Sequence, residues 1–360
     1  MSENPAPSGT EEQPAEASPP VLSNRRKLLY SLFMFLGLAL LTEGILRLAD
    51  PEIFRFVLAA RRLHRYTEWS RIDLRPNQSE HFYLTRDDGS PVLDFRLSTD
   101  AQACRSPRPQ QAQPALRPDG SRRITVHCVG DSMTMGWGVE DGESYPEQLA
   151  GMLGEDYRVV NLGVDGIGLI AAWHRCMVMA EEHPPDYVLY QFISNDWLED
   201  EQTLKVQSRG SLSHAWWKGL DAVRRHSYLF NIPFVLKWAV HFKARLNQPA
   251  AEEPDPATVP HSLEDYLALA AELPLPDNAT TQALAEVQRH CQNQGVPLAV
   301  VLTQRNEESY AMARFCQENG IQVLAMPFGP SLRIPNDDHL TVEGNRRLAA
   351  QLQAALFSKP

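Results

Sequence analysis

The chain has 360 residues, of which 43% are hydrophobic and 22% are charged, so it can form one large globular domain or two small ones. Its net charge of −11 argues against a general nucleic-acid-binding protein. The sequence has no glycine-rich phosphate loop, and its five cysteines show neither a CxxC pair nor zinc-ligand spacing. We therefore predict no cofactor, no metal site and no nucleic-acid partner.

The N-terminal part of the chain predicts a tail followed by a membrane span. Residues 1–27 are rich in proline, serine, glutamate and alanine, which predicts a disordered cytoplasmic tail. Residues 28–49 are apolar over a length that can cross a bilayer, so we predict a transmembrane anchor. A cleaved signal peptide and a buried core helix are the alternatives. Arginines and lysine flank both ends, so the charge pattern alone does not orient the span.

The next region, residues 50–121, is predicted to be a juxtamembrane extension. Arginines alternate with apolar residues over 51–75, which predicts a basic helix that either lies on anionic lipid or serves as a solvated connector. Residues 76–120 predict short extended pieces, such as 81–84, between polar loops. Residues 105–118 are rich in proline, glutamine and arginine, which is typical of a surface loop.

From residue 122 the pattern changes to short apolar runs that alternate with helical segments. Such a pattern predicts a parallel sheet covered by helices on both faces, so residues 122–358 should form a three-layer α/β/α domain. Its five predicted strands are residues 124–129, 158–162, 187–192, 298–302 and 321–324. Residues 200–279 interrupt the alternation as a helical insertion, which we interpret as packed helices, a lid or a surface against the bilayer. Within it, residues 250–260 predict a linker.

Polar segments follow the first three predicted strands, and one more precedes the last helix. Ser132 follows the first strand, residues 163–166 the second and residues 194–196 the third, while residues 336–339 lie in the final loop. Ligands of open parallel sheets bind beyond the carboxyl ends of the strands, so these segments should meet at one edge. A serine that leaves a strand for a helix has an exposed hydroxyl near free backbone N–H groups, which suits a nucleophile.

A serine hydroxyl needs a base to become nucleophilic, and His339 is the candidate base. A carboxylate beside the imidazole would fix its tautomer and stabilise its charged form. Asp337 lies two residues before His339, and residues two apart in an extended loop point the same way. We therefore predict Asp337 as the orienting acid, with Asp338 left as the alternative.

The tetrahedral intermediate of acyl transfer carries an oxyanion that needs hydrogen-bond donors. The backbone N–H groups of Ser132 and Gly166 and the side-chain amide of Asn195 are the three candidates, and Gly166 permits close approach because it lacks a Cβ. Taken singly, these segments could be a turn, turn glycines, a helix cap and a polar loop. Their joint placement at strand ends favours a catalytic site. A Gly-x-Ser-x-Gly elbow is absent, because Thr134 occupies the second glycine position.

These motifs together resemble the SGNH (GDSL-type) hydrolase family over residues 122–358. The matching segments are Gly130-Asp131-Ser132 with Thr134, residues 161–166 (Asn-Leu-Gly-Val-Asp-Gly), Asn195-Asp196, and Asp337-Asp338-His339 with Gly344. Residues 136–141 fit a bacterial subgroup that carries an N-terminal membrane anchor. The sequence departs from the family pattern at three points. Residues 193–196 lack the usual glycine, the usual Asp-x-x-His spacing would fall on Asn336, and Met133 follows the serine where leucine or phenylalanine is commoner.

The resemblance implies an SGNH/flavodoxin-like fold, a Ser132–His339–Asp337 triad, and an oxyanion hole made by Ser132, Gly166 and Asn195. It also implies ester hydrolysis or acyl transfer without metal. We expect a membrane-anchored serine esterase that acts on an ester-linked acyl group of a small molecule, lipid or glycan of the cell envelope. We expect one span in the bacterial inner membrane and an extracytoplasmic catalytic domain. The alternatives are an O-acyltransferase that acts on an envelope glycan and a catalytically silent envelope-binding protein.

Overall fold

The computed structural model describes residues 23–106, 116–117, 119–248 and 260–358. Most of the predicted tail, most of the predicted loop at 105–118 and most of the predicted linker at 250–260 lie outside these residues. The chain divides into two compact units, and the boundary falls after Ala49.

The first unit contains helix α1 (Asn24–Ala49), which matches the predicted span. Its 26 residues are all described and none is buried, and its composition is apolar enough to cross a membrane. A signal sequence would meet the same criteria of length and composition. Glu43 and Arg47 lie one helical turn apart and form an ion pair at 2.8 Å, so the two charges of this apolar helix neutralise each other.

The second unit begins with helix α2 (Glu52–Leu63), which packs into the unit instead of lying on lipid or in solvent. Phe54, Phe56 and Leu58 are buried, and the Phe56 ring meets Phe82 edge-on at 5.7 Å. The prediction of a helix over 51–75 is therefore wrong beyond Leu63, because the chain turns there into a strand. Four short strands follow as two antiparallel pairs: β1 (His64–Arg65) with β2 (Asp73–Leu74), and β3 (Ser79–Thr85) with β4 (Pro91–Ser98).

The centre of the second unit is a five-stranded parallel sheet with the order β6-β5-β7-β8-β9. Its strands are β5 (Ile124–Gly130), β6 (Tyr157–Asn161), β7 (Tyr187–Phe192), β8 (Leu298–Leu302) and β9 (Gln322–Ala325). Each strand coincides closely with a predicted apolar run, because a strand buried on both faces must be apolar along its whole length. The predicted three-layer α/β/α fold with a five-stranded parallel sheet is confirmed.

Helices cover both faces of the sheet. The bounds are α3 (Ser132–Met135), α4 (Tyr145–Leu153), α5 (Leu169–Glu182), α11 (Ala279–Gln294), α12 (Glu307–Glu318) and α13 (Val342–Leu352). Helices α4 and α13 share a core with Val126 and Cys128 on one face. The intervening residue, His127, points to the other face, where its ring lies 3.4 Å from Cys176 on α5.

The described part of the predicted insertion consists mainly of helices joined by short turns and loops. It contains α6 (Asp196–Gln207), α7 (Ser211–Arg224), α8 (Ile232–Phe234), α9 (Val240–Leu246) and α10 (Leu263–Ala270). A π-helical turn, Val235–Ala239, joins α8 to α9, so residues 232–246 form one continuous helix.

Candidate active site

The candidate nucleophile lies at the carboxyl end of β5, next to β7, where the connections of the sheet leave in opposite directions. Ser132 is the first residue of α3, and its side chain is buried. Asp131 caps this short helix by accepting a hydrogen bond from the Met133 backbone N–H at 2.9 Å. The strand-to-helix turn therefore presents the Ser132 hydroxyl at the ligand-binding edge of the sheet.

The loop between β9 and α13 brings the candidate base and acid to this hydroxyl. The His339 Nε2 atom lies 2.7 Å from Ser132 Oγ, and His339 Nδ1 contacts Asp337 Oδ1. Asp338 is exposed, and its backbone carbonyl accepts a hydrogen bond from Arg333. The structure thus places Asp337, and not Asp338, against the imidazole, with both imidazole nitrogens engaged.

The charges of this group favour a protonated imidazole beside an ionised carboxylate. Burial is the largest single influence and opposes the charge on His339, but the charge and hydrogen bond of Asp337, together with the charges of Asp131 and Asp338, outweigh it, so the pKa of His339 is raised above its ordinary value. Burial likewise opposes the charge on Asp337, while the nearby imidazole and its hydrogen bond bring the pKa of Asp337 below its ordinary value. This is the electrostatic arrangement that a general base needs for holding a proton during acyl transfer.

The loop that follows β6 carries the second candidate oxyanion donor. Gly163 packs against the backbone of Thr134 and Met135 so closely that a Cβ would overlap it. Gly166 has a φ of +70°, a left-handed conformation that glycine adopts without strain. These two glycines let the loop approach α3, which brings the Gly166 N–H to the same edge of the sheet as Ser132.

The third candidate donor, Asn195, is held between two carboxylates. Its side-chain N–H group donates to Glu199 Oε1 at 3.0 Å, one helical turn along α6. The Asn195 side chain is also hydrogen-bonded to Asp131, the residue before the nucleophile. Sequence reasoning missed Glu199, although its spacing of four residues from Asn195 on a helix was a usable signal.

The positively charged side chain of Arg71, in the loop between β1 and β2, reaches the candidate oxyanion donors. The Arg71 guanidinium donates to the backbone carbonyl of Gly166 at 3.4 Å and to Gln202 Oε1 at 2.5 Å. Its positive charge lowers the pKa of Glu199, but burial and the charge of Asp131 dominate and raise that pKa to about 8. Arg71 belongs to the predicted extension, and no motif in the sequence marked it.

Three carboxylates beneath the donors form the cluster in the described residues that could hold a metal ion. Oxygen atoms of Asp131, Asp196 and Glu199 lie within 4.8 Å of one another. Burial, followed by repulsion from Asp131, raises the pKa of Asp196 well above its ordinary value. Asp196 Oδ2 accepts a hydrogen bond from the Tyr190 hydroxyl at 2.6 Å. Protons shared between these carboxylates can therefore offset their mutual repulsion. The distances between their oxygen atoms would also suit a divalent cation.

The extension, residues 50–121, also forms ion pairs with residues that surround the site. His64 of β1 pairs with Asp165 in the loop that carries Gly166, and buried Asp73 of β2 pairs with Arg175 of α5. Burial is the largest single influence on Asp165 and raises its pKa, but the charge and hydrogen bond of His64, with the charges of His339 and Arg71, together lower that pKa below its ordinary value. These contacts join the loop that carries Gly166, here named the oxyanion loop after its candidate donor, to residues that precede the sheet in the chain.

Arg105 corrects the prediction of a surface loop at 105–118. Its guanidinium is fully buried and donates to four backbone carbonyls, those of Met135, Gly136, Val139 and Glu140. The physical reason is that the segment after α3 turns repeatedly and leaves carbonyls without helical partners. A planar group with five N–H donors satisfies them together.

Aromatic side chains line the imidazole side of the site. The centroid of the Trp137 ring lies 6.4 Å from that of the His339 ring. Trp137 also packs against Phe82 and Phe95 of the β3–β4 hairpin, with ring centroids 5.0 and 5.2 Å apart. Phe56 of α2 touches Trp137 on one side and Phe242 of α9 on the other, at 6.1 Å each. The insertion and the extension thus meet beside the candidate base.

No family model matches the sequence, and a search of curated proteins finds no match. Among solved structures, a protein described as lipolytic and of the G-D-S-L family from Desulfitobacterium hafniense DCB-2 is 12% identical; the match covers 65% of this chain and 100% of that one, with a TM-score of 0.39. TesA is 14% identical over 65% and 98% of the two chains, with a TM-score of 0.37. A mutant of the esterase AlinE4 is 15% identical over 56% and 76%, with a TM-score of 0.30.

Proposed function

We propose that the chain is a membrane-anchored serine esterase of the SGNH type that acts on ester-linked acyl groups. The observation that carries this proposal is the continuous contact from Ser132 Oγ through the His339 ring to Asp337 at the ligand-binding edge of the sheet. Residues 122–358 would supply the chemistry, and residues 50–121 would support the oxyanion loop. The length and apolar composition of helix α1 support a single membrane span. We propose that this span lies in the bacterial inner membrane with the catalytic unit outside the cytoplasm, as the family resemblance implies.

The proposed reaction has two steps that use the same residues. Ser132 Oγ attacks the acyl carbonyl carbon while His339 Nε2 takes the hydroxyl proton, and the carbonyl electrons move onto oxygen. The backbone N–H groups of Ser132 and Gly166 and the Asn195 amide would stabilise that oxyanion. The intermediate then expels the alkoxide, which takes the proton from His339 and leaves an acyl-serine.

In the second step His339 takes a proton from water, and the resulting hydroxide attacks the acyl-serine. Collapse of the second tetrahedral intermediate returns the proton to Ser132 and releases the carboxylic acid. A sugar hydroxyl in place of water would give acyl transfer through the same intermediate, so the acceptor decides between hydrolase and transferase.

The test is ester hydrolysis by the full chain in lipid nanodiscs, measured over a panel of activated acyl esters with and without a glycan acceptor. Ser132→Ala should lower kcat/KM by about 10³-fold or more, because the oxyanion donors alone retain little catalysis. Ser358→Ala, at an exposed position, is the matched control. A fluorophosphonate should label wild type at Ser132. Equal turnover by wild type and Ser132→Ala, or no labelling of Ser132, would sink the proposal.

A further inference from the structure

Helices of the insertion expose large apolar side chains in a regular pattern. Six of these side chains are between 45% and 87% exposed and are here named the insertion face: Leu212, Trp216, Val223, Phe230, Leu236 and Val240. Leu212, Trp216 and Val223 recur at helical spacing on one side of α7, and Leu236 and Val240 recur on one side of the helix over 232–246. Exposed apolar stripes on successive helices are a feature of interaction and membrane sites, so we expect a partner to cover them.

The insertion face begins where the chain leaves the proposed membrane span. The Tyr228 hydroxyl donates to Asp50 Oδ1 at 2.5 Å, and its ring stacks on Phe54 at 5.5 Å. Asp50 directly follows Ala49, the last residue of α1. If α1 spans a bilayer, Asp50 must lie near the lipid headgroups, and the bond to Tyr228 holds the neighbouring Phe230 at the same level.

The C-terminal end of α7 is joined to this point as well. The Asn231 side-chain N–H group donates to the carbonyl oxygens of Arg224 and Ser227 at 2.7 Å each. This contact closes the turn between α7 and α8, so the α7 stripe ends, and the stripe of the helix over 232–246 begins, on either side of the segment that Tyr228 bonds to Asp50.

The charge of the segment matches a bilayer of anionic lipid. Residues 211–248 contain six basic residues and one acidic residue, a net charge of +5 in a chain of −11. Lys218 and Lys243 pair with Glu68 and Glu52, and Asp221 pairs with Arg75, but the remaining arginines and Lys237 keep the segment cationic. Basic groups near an anionic surface attract it electrostatically, and tryptophan favours the headgroup layer.

We propose that the insertion face lies in the interfacial layer of the bilayer that α1 spans, as a second and monotopic membrane contact. The proposal rests on the membrane anchoring proposed above. The partner that covers the cationic, tryptophan-bearing helices of the insertion would then be the anionic lipid surface. It also directs the site toward membrane-borne esters, because the helix over 232–246 runs from this face to the triad loop, where Asn336 donates to the carbonyl of Gln248.

The test is quenching of tryptophan fluorescence in the full chain, reconstituted in nanodiscs whose anionic phosphatidylglycerol carries bromine on its acyl chains. All seven tryptophans lie at residue 69 or beyond, so α1 contributes no signal. Trp216→Phe should lose a large part of the bromolipid-dependent quenching. Trp173→Phe, on α5 outside the insertion, should lose none. Replacing the anionic lipid by a zwitterionic one should also reduce the quenching.

Two results would overturn the proposal. One is the same quenching in wild type, Trp216→Phe and Trp173→Phe. The other is quenching that is absent while mass measurement of the discs finds two copies of the chain, which would assign the face to a second copy. Hydrolysis of a soluble ester is recorded in the same discs, so a chain that is quenched through Trp216 but never turns over would refute the proposed esterase and leave the membrane contact standing.

Discussion

The Ser132 hydroxyl has two polar partners but only one proton. Its oxygen lies 2.7 Å from His339 Nε2 and 3.1 Å from Asp131 Oδ2. With a neutral imidazole the hydroxyl can donate to His339, which is the reactive arrangement. With a protonated imidazole Nε2 becomes a donor, and the serine proton turns to Asp131. The charge of His339 therefore decides whether Ser132 is a nucleophile.

The first prediction concerns the pH dependence of hydrolysis. The pKa of His339 is raised above its ordinary value of 6.5, so the imidazole keeps its proton to a higher pH. As the pH is lowered, kcat/KM should therefore begin to fall while the pH is still above 6.5. Asp337→Asn removes the main stabilising charge, so this limb should move to lower pH and kcat should drop by about 10³–10⁴-fold. The measurement is the pH profile of kcat/KM on a soluble ester.

Asp338→Asn is the matched control for this prediction, because Asp338 neighbours the same imidazole in the chain but is exposed and makes no side-chain bond to it. It should keep the wild-type kcat. A larger loss for Asp338→Asn than for Asp337→Asn would assign the acid to Asp338 instead.

The second prediction concerns Glu199, which shares the Asn195 amide with Asp131. The pKa of Glu199 is about 8, raised by burial and Asp131 against the charge of Arg71, with Asp165 adding to the rise. Above that pH the Glu199 carboxylate should hold the amide and weaken the oxyanion donor, so kcat should fall by about 10-fold. Glu199→Gln, which does not ionise, should abolish this alkaline fall and leave kcat near neutral pH almost unchanged.

Glu201→Gln is the control for Glu199, since Glu201 is exposed on the same helix and pairs with Lys205. It should keep the alkaline fall. If Glu199→Gln also keeps the fall, the titrating group is a different one and Glu199 does not position Asn195.

At the scale of elements, the segment after α3 depends on one side chain from outside the sheet. Arg105 bonds to the carbonyls of four residues between Met135 and Glu140, and Glu147 and Asp141 lie 3.5 and 3.8 Å from its guanidinium. Lysine carries the same charge but has only three N–H donors, all on one nitrogen, so it cannot donate to all four carbonyls. The backbone that follows the nucleophile should therefore be sensitive to this substitution.

The third prediction is that Arg105→Lys destabilises the second unit by about 3 kcal/mol, since it leaves buried carbonyls unpaired. The measurement is thermal or urea unfolding of the full chain, with Arg96→Lys in the exposed part of β4 as the control. A stability loss no larger than that of Arg96→Lys would show that the four carbonyl bonds contribute little.

The elements divide into those that the sequence specifies locally and those that depend on distant partners. The five sheet strands were predictable because an apolar run between turns is a local signal. The placement of Ser132, Gly166, Asn195 and His339 at one edge of the sheet was predictable because each stands next to such a strand or in the last loop, whereas their catalytic roles stay a prediction. The end of α2 at Leu63 was not, because its apolar face is covered by a hairpin that follows later.

The same reasoning explains the site residues that were missed. Arg71, His64 and Arg105 lie in the extension, and each bonds to a group that is far along the chain: Gly166, Asp165 and the segment after α3. A single basic residue carries no local mark of such a partner. Glu199 differs, because a helical spacing of four from Asn195 is a local signal.

At the scale of the molecule, two independent features point to a membrane. One is the apolar helix α1, and the other is the exposed apolar face of a cationic insertion in an acidic protein. Within the second unit, a series of packed aromatic rings connects this insertion to the candidate base. The ring centroids of Trp238 and Phe242 lie 4.8 Å apart, Phe56 stacks on Phe242 and meets Trp137 edge-on, and the Trp137 ring is tilted against that of His339. The insertion therefore packs into the same aromatic cluster that borders the candidate base.

The fourth prediction follows from the proposed contact of the insertion face with lipid. In nanodiscs, Leu212→Asp combined with Leu236→Asp should lower hydrolysis of a lipid-borne ester by about 10-fold, because two carboxylates resist insertion among the headgroups. Hydrolysis of a soluble ester should not change, because neither residue contacts the triad. Leu198→Asp with Leu269→Asp, at exposed positions on α6 and α10 outside the insertion face, is the control and should leave both rates intact. A parallel loss of both substrates would indicate a folding defect, and unchanged hydrolysis of the lipid-borne ester would mean that the substrate does not approach across the insertion face.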